Sequence, residues 1–204
     1  MATVVKQKQL GPEDHGRAMS FDEFMSGDYQ ESYHYELIDG RLYVSPEAKM
    51  PENVVEMWLL FKLHYYALDN PQTINYVTNK ARVFVPDRSD VTAPEPDIAA
   101  YHNYPRDLNI NELDWRDFSP LLAVEVLTSE NPHKDLVRNV VLYRQVPSIK
   151  EYWIIDARED ANRPTMRVYR KYRGRWQQPI ELQFGDTYTT RLLPGFKLVI
   201  DPRR

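Results

Sequence analysis

Leu122-Ala123-Val124-Glu125-Val126-Leu127 is a short apolar stretch with a single carboxylate inside it. Its length and its valines predict a buried β-strand rather than a helix. Apolar side chains follow with helical spacing over residues 134–146, and a second apolar strand follows at residues 151–156. A strand, a helix and a strand in this order predict a crossover unit, in which the two strands are parallel and the connection is right-handed.

The flanking sequence predicts two more helices and several strands. A capping box at Ser20–Glu23 begins a short helix, and Asp39-Gly40 turns a hairpin. Pro51 begins the main core helix, which runs to about residue 69. Alternation of apolar and polar residues predicts further strands at 73–86, at the Asp97 segment, and at 165–172, 175–184 and 189–200.

The length of 204 residues and the apolar fraction of 42% predict one folded domain. We place this domain at residues 19–204, after a polar, aperiodic arm at residues 1–18 that we expect to be flexible. No apolar run approaches the roughly 18 to 20 residues that cross a bilayer, and the N-terminus lacks the apolar core of a signal peptide. We therefore expect a cytoplasmic protein without a membrane partner.

The chain contains no cysteine and five histidines. Disulfides, thiolate nucleophiles and cysteine-based zinc sites are thereby excluded. The histidines show no spacing typical of a zinc site, so any metal is expected to be held mainly by oxygen. Mg²⁺ and Mn²⁺ are the divalent ions that suit such ligands.

Three carboxylates, Glu36, Asp97 and Glu125, lie in or beside apolar strands that are far apart in the sequence. A buried carboxylate is costly unless a cation, a metal ion or several hydrogen bonds compensate it. If the strands of Asp97 and Glu125 are neighbours in one sheet, their carboxylates converge and repel each other unless a divalent cation lies between them. Metal-assisted cleavage of a phosphodiester is therefore the leading hypothesis. The plain alternative for Glu36 is a strand-edge acid paired with an arginine such as Arg41.

A basic hairpin is predicted near the C-terminus, although the formal net charge of the chain is −4. Between residues 158 and 175 there are seven Lys or Arg residues and two acids. We expect this segment to bind the phosphates or bases of a nucleic acid, through side chains that include Arg167, Arg170, Lys171 and Arg173. The alternative is a solvated hairpin face.

Several stretches, taken together, resemble one family. They are, in chain order, Tyr35 to Gly40, Pro96-Asp97, Glu125 to Ser129, Asp135-Leu136 with Tyr143, and Glu151 to Asp156. In this order and spacing they resemble the Uma2 (DUF820) family of endonucleases, a branch of the PD-(D/E)XK restriction-endonuclease-like superfamily. The resemblance implies an α/β (α+β) restriction-endonuclease-like fold, with a mixed central β-sheet flanked by helices and with additional N-terminal and C-terminal β-hairpins.

The resemblance also implies a function. It predicts Mg²⁺- or Mn²⁺-dependent hydrolysis of DNA, with metal ligands at Asp97 and Glu125 and with Glu36 as an accessory acid. A homodimer is expected, because cutting both strands of a duplex commonly uses two sites related by two-fold symmetry.

The chain departs from the family at the catalytic lysine. The superfamily pattern has Lys two residues after the second acid, where this chain has Leu127. The family usually carries its lysine four residues before the tyrosine, where this chain has Asn139, so Asn139 is the candidate side chain for that place in the site. A neutral amide stabilises phosphate charge less well than an ammonium group. Arg138 and Lys134 lie nearby on the helix and could substitute only with a rearrangement.

Two other functions stay open at this point. A family member without the lysine could be catalytically impaired and act as a metal- or DNA-binding module. Alternatively, Asp97 and Glu125 could be a metal-free acid/base pair that hydrolyses a glycoside.

Overall fold

The computed structural model describes residues 9–127 and 132–204. The helices are α1 (Phe21–Ser26), α2 (Met50–Asp69) and α3 (Asn139–Gln145), and a π-helical turn (Lys134–Arg138) leads directly into α3. Short 3-10 turns lie at Pro12–Asp14 and Ile110–Glu112. The strands are β1 (Tyr33–Ile38), β2 (Arg41–Pro46), β3 (Tyr76–Thr78), β4 (Ile98–Tyr101), β5 (Leu122–Leu127), β6 (Glu151–Asp156), β7 (Thr165–Tyr172), β8 (Arg175–Trp176), β9 (Ile180–Leu182), β10 (Thr187–Thr189) and β11 (Lys197–Val199).

The central sheet is mixed, with the strand order β3-β4-β5-β6-β7-β8, and β9 also pairs with β7. Strands β5 and β6 are parallel, with Leu122 opposite Glu151 and Leu127 opposite Asp156, and the other pairs of this sheet are antiparallel. The parallel pairing predicted from the strand-helix-strand order is therefore confirmed. Strands β1 and β2 form a separate hairpin, as do β10 and β11.

Helices cover both faces of the sheet. On one face, α2 contributes Leu59 and Leu63 to a core that includes Val124 and Trp153 of the sheet. On the other face, side chains of α3 pack against the alternate sheet residues, with Leu142, Tyr143, Ala123, Tyr152 and Ile154 in one cluster. Because neighbouring residues in a strand point to opposite faces, Glu125 points toward the α3 side together with Ala123. The mixed sheet flanked by helices, with both hairpins, is the predicted fold.

Local sequence signals for the N-terminal elements are also confirmed. The hydroxyl of Ser20 accepts from the Glu23 amide at 3.2 Å, and the Glu23 carboxylate accepts from the Ser20 amide at 2.8 Å. Asp39 and Gly40 adopt positive φ angles of 49° and 65° between β1 and β2. The long helix predicted from Pro51 begins one residue earlier, at Met50.

The strand predicted at residues 73–86 is wrong in length, because only Tyr76–Thr78 pair with the sheet. Lys80 has a positive φ of 65°, a conformation that interrupts extended pairing. The chain beyond it bonds elsewhere: the amides of Val83 and Val85 donate to the carbonyls of Pro94 and Thr92.

Two C-terminal strands are each divided. The strand predicted at 175–184 consists of β8 and β9, and Pro179 between them has no amide hydrogen to donate to a ladder. Of the strand predicted at 189–200, only Thr189 and Lys197–Val199 are extended, and they lie in the two opposite strands of a hairpin, β10 and β11. Gly195, with a positive φ of 84°, lies in the turn that connects these strands.

The segment before α1 contacts the β1–β2 hairpin. The Leu42 amide donates to the Arg17 carbonyl at 2.9 Å, the Gly16 amide donates to the Leu42 carbonyl at 2.7 Å, and Leu10 is buried. Of the arm predicted at residues 1–18, residues 1–8 lie outside the described part of the chain. Within the described ranges, no helix has both the length and the apolar character needed to span a bilayer.

Candidate active site

Asp97 and Glu125 lie directly opposite each other on neighbouring strands. Strands β4 and β5 are antiparallel with Ile98 opposite Val124, so the residue before β4, Asp97, is level with Glu125. Opposite residues of an antiparallel pair point to the same face of the sheet. The Oδ2 atom of Asp97 accepts from the Val126 amide at 2.6 Å, which fixes this carboxylate against β5. The structure thus brings these two predicted residues together.

Glu125 is completely buried, and its two oxygens have different surroundings. Oε1 accepts from Asn139 Nδ2 at 2.8 Å and from the Tyr143 hydroxyl at 2.9 Å. Oε2 is buried and accepts no hydrogen bond from a described residue, but Lys134 Nζ lies 3.6 Å from it. One oxygen is therefore fixed by α3, and the other is available to a cation.

Glu36 joins the site from the β1–β2 hairpin. Its Oε2 accepts from Arg138 Nη2 at 2.6 Å, and its Oε1 accepts from the Glu95 amide at 3.1 Å. The arginine that pairs with Glu36 is thus Arg138, whereas Arg41 donates to the Gly16 carbonyl at 2.9 Å. Glu36 is therefore paired with an arginine, as the alternative interpretation supposed, but this arginine comes from the turn before α3 and not from Arg41.

The sequence predicts that Lys134 reaches the site only if the helix is rearranged, and the π-helical turn is such a rearrangement. The Asn139 amide donates to the Lys134 carbonyl, five residues back, so this turn is wider than an α-helical turn. Lys134 Nζ lies 3.2 Å from Asp135 Oδ1 in addition to its contact with Glu125. Asn139 Nδ2 bridges the two acids, since it also donates to Asp135 Oδ1 at 3.0 Å. An ammonium group therefore reaches the buried carboxylates although residue 139 is an amide.

Burial and mutual repulsion shift the ionisation of the clustered acids. Burial, together with the charge of Glu125, raises the pKa of Asp97 well above its ordinary value. The same causes raise the pKa of Asp135 to about 8, and burial raises the pKa of Glu125 against the opposing effect of Lys134. Burial acts in the same direction on Glu36, but Lys134 and Arg138 outweigh it and lower the pKa of Glu36. Burial would lower the pKa of Lys134, yet the surrounding carboxylates hold that pKa well above its ordinary value.

The donor set of this cluster suits a divalent cation. The cluster contains two basic side chains, Lys134 and Arg138, and four acids, Glu36, Asp97, Glu125 and Asp135. When all of these groups are ionised, the cluster has a net charge of two negative units. In the described part of the chain, no three acid or histidine side chains converge tightly enough to enclose an ion by themselves. Mg²⁺ commonly binds through one or two carboxylates and keeps its other positions for water and substrate, so the residues fit this ion.

The cluster opens into a cleft that contains residues which sequence reasoning missed. A cavity of about 50 Å³ is lined by Glu36, Asp97, Lys134 and Asp135 and also by His34, Glu52, Glu56 and Glu95. His34 lies two residues before Glu36, and this strand spacing was the available signal that both side chains share one face. Burial lowers the pKa of His34 and raises the pKa of both Glu56 and Glu95.

The predicted nucleic-acid-binding residues of β7 and its turn do not form one surface. Arg167 pairs with Glu181 at 2.6 Å, and Lys171 donates to the carbonyls of Tyr143 and Val146 at the end of α3. Arg170 points to the opposite face of β7, where its contacts are the Tyr188 hydroxyl, the Thr189 carbonyl and Glu151, and Arg173 lies over the Tyr172 ring. Three of these four cations thus make intramolecular polar contacts, and they are divided between two faces.

Comparison with known proteins places the chain in a family. The fold matches the crystal structure of a putative nuclease belonging to DUF820 from Anabaena variabilis ATCC 29413, with a TM-score of 0.64, 15% sequence identity, and coverage of 89% of this chain and 95% of that chain. No curated protein matches this chain. A sequence profile of Uma2, described as a putative restriction endonuclease, matches residues 21–201. The chain therefore belongs to the Uma2 family.

Proposed function

We propose that this protein is an endonuclease that hydrolyses DNA phosphodiester bonds with Mg²⁺ or Mn²⁺ held by Asp97 and Glu125. The observation that carries the proposal is the opposed pair itself, in which the buried Glu125 and the partly buried Asp97, both with raised pKa, share one end of neighbouring strands. Two ionised carboxylates in such a place are unfavourable, and a divalent cation between them would compensate more of their charge than the single ammonium group of Lys134 does. Membership of the Uma2 family supports the choice of nuclease chemistry.

The chain's own residues have separate tasks in this proposal. Tyr143 and Asn139 hold Oε1 of Glu125, and the Val126 amide holds Oδ2 of Asp97, so one oxygen of each acid stays directed toward the ion. A divalent cation in this place would activate water and stabilise the charge that develops on the phosphate. Lys134 supplies the ammonium group that the family usually places at residue 139, and its charge stabilises the phosphate during in-line attack.

Glu36 and Arg138 have a supporting task. The charges of Lys134 and Arg138, the latter in an ion pair with Glu36 at 2.6 Å, keep the Glu36 carboxylate ionised beside the site. A homodimer is part of the proposal, because two active sites are needed to cut both strands in one binding event.

The test is cleavage of supercoiled plasmid by the purified protein with Mn²⁺ or Mg²⁺, with and without EDTA. We expect nicked and linear products that EDTA abolishes, and no product from Asp97→Asn or Glu125→Gln. The matched controls are Asp107→Asn and Glu159→Gln, which remove the same charges at exposed positions and should cut like the parent.

Each other outcome identifies a rival function. Plasmid binding without cleavage, at any metal concentration, would assign the protein to the impaired, binding-only class. Cleavage that persists in EDTA would contradict the metal, and activity on a glycoside instead of DNA would favour the metal-free acid/base pair.

A further inference from the structure

Helix α2 carries a second apolar stripe on the side that faces away from the sheet. The stripe consists of Val54, Met57, Phe61, Tyr65 and Leu68. At about 100° per residue these positions fall within an arc of about 80°. The opposite side of the helix, which includes Val55, Leu59 and Leu63, is buried in the core. An apolar stripe on a helix normally packs against another surface.

Four of the five stripe residues are exposed in the single chain, and Met57 is partly exposed. The exposed fractions are 52% for Val54, 51% for Phe61, 64% for Tyr65 and 59% for Leu68, and Met50 at the start of the helix is 78% exposed. Each half-exposed large side chain offers roughly 100 Å² of surface. The four exposed stripe residues and Met50 together offer about 500 Å² per copy, or about 1,000 Å² for two copies, which is the lower limit of specific interfaces.

The spacing of the stripe is symmetric about Phe61. Val54 and Leu68 lie seven residues on either side, and Met57 and Tyr65 lie four residues on either side. Two antiparallel copies of α2 that cross at Phe61 therefore place Val54 against Leu68 and Met57 against Tyr65, twice over. Such a self-complementary surface is what a two-fold interface requires.

The charges of α2 favour a second copy over other occupants. Its charged residues, Glu52, Glu56, Lys62 and Asp69, all lie outside the stripe, and in the antiparallel arrangement none of them is opposite a like charge. A nucleic acid would need basic residues on this surface. A membrane-surface helix is usually rich in Lys and Arg on its polar side, whereas α2 has one lysine and three acids.

We propose that the exposed stripe of α2 is the dimer interface of this protein, formed by antiparallel packing of α2 against α2 of a second copy with Phe61 at the two-fold axis. The inference rests on the homodimer of the proposed function and adds the surface that forms it. The two can fail separately, since none of the stripe residues belongs to the acid cluster: loss of the dimer is read from mass, and loss of the chemistry is read from metal-dependent cleavage.

The test measures mass in solution by light scattering over a protein concentration series. The parent should have twice the chain mass of 24.2 kDa. Phe61→Glu places like charges against each other at the axis and should raise the dimer dissociation constant by about 30-fold or more, the size of a hot-spot effect. Ile110→Glu is the matched control, because Ile110 is also exposed but lies far along the chain from α2, and it should leave the dimer unchanged.

A pair of introduced opposite charges tests the register of the two antiparallel α2 helices. Met57→Lys and Tyr65→Glu should each weaken the dimer, and the double variant should restore it, because each introduced lysine then lies opposite an introduced glutamate. A parent that stays at 24.2 kDa, or a Phe61→Glu variant that dimerises like the parent, overturns the proposal. A monomeric parent that sediments with lipid vesicles would also overturn it and would assign the stripe to a membrane surface. Circular dichroism of each variant verifies that the fold is retained.

Discussion

The ammonium nitrogen of Lys134 lies 3.6 Å from Oε2 of Glu125, the carboxylate oxygen that accepts no hydrogen bond from the described residues. This contact reaches the centre of the acid cluster from a helix position one turn before Asn139. Both residues touch the same carboxylate, each through a different oxygen. The ammonium group and the amide thus contact the two oxygens of one carboxylate separately.

Removing the Lys134 charge should abolish cleavage without removing the metal site. We expect Lys134→Met to lower the rate of plasmid cleavage by about 100- to 1,000-fold, the usual effect of losing one group that stabilises transition-state charge. Lys197→Met, at an exposed position on β11, is the control and should be fully active. The double variant Lys134→Asn with Asn139→Lys should recover part of the activity. Normal rates for Lys134→Met would show that this ammonium has no catalytic task.

Asp97→Asn should stabilise the metal-free protein while it abolishes activity. Burial and the charge of Glu125 make the ionised Asp97 unfavourable, whereas the amide keeps an oxygen that can accept from the Val126 amide. We expect a gain of roughly 0.5–2 kcal/mol in the free energy of unfolding, the range usual for relieving a strained functional site. Urea unfolding in EDTA measures it. In saturating Mn²⁺ the parent should be more stable than Asp97→Asn. Only the parent binds the ion, and Mn²⁺ at 100 times the dissociation constant of the site adds about 2.7 kcal/mol to the free energy of unfolding.

The metal-free protein should lose stability as the pH rises toward 8. Burial and Glu125 raise the pKa of Asp135 to about 8 in the folded chain, whereas an unfolded aspartate has a pKa of about 3.9. Between these values the folded state binds more protons than the unfolded state, so stability falls with rising pH. Urea midpoints in EDTA across this window should fall less steeply for Asp135→Asn than for the parent. Equal slopes would contradict the assignment, and Mn²⁺ should flatten the slope of the parent.

Two tyrosines of the same cluster should differ in their contribution to stability. The Tyr143 hydroxyl donates to a carboxylate at 2.9 Å, and the Tyr152 hydroxyl donates to the backbone carbonyl of Asp135 at 2.9 Å. Tyr143→Phe should cost about 1.5–3 kcal/mol and Tyr152→Phe about 0.5–1.5 kcal/mol, because hydrogen bonds to charged groups are stronger. Thermal and urea unfolding of the two variants provide the comparison, and an equal loss would mean that Glu125 is uncharged.

The long, regular elements were predictable, and the interruptions were not. The crossover of β5 and β6 and the helix α2 follow from apolar spacing sustained over many residues. The end of β3 depends on one residue, Lys80, which has a positive φ of 65°, a conformation that lysine rarely adopts. Tertiary bonds of the following segment to residues 92–94 stabilise that conformation, and such bonds leave no local signal.

The acids of the site were predictable as a set, but their partners were not. Glu36, Asp97 and Glu125 stand out as charges in apolar strands. In the structure Glu36 and Asp97 line one cleft, and Glu125 is level with Asp97 on the neighbouring strand. Glu151 is just as buried in an apolar strand, yet both of its oxygens accept hydrogen bonds, from Trp153, Tyr188 and Thr190, and it lines a different cavity, with Arg170 and Arg191. Sequence pattern alone does not separate these two cases, because two of the three donors come from distant β10 and the turn after it.

The π-helical turn at Lys134–Arg138 makes the site sensitive to a change of a single codon. Deleting one residue there would let the turn relax to ordinary α-helical geometry and would change the directions in which the side chains of this turn point relative to α3. Strands β5 and β6 lie outside the turn, so Glu125 would keep its place in the sheet. Under the proposed function, gain or loss of one amino acid would therefore alter the ammonium group beside the acids while the sheet is retained.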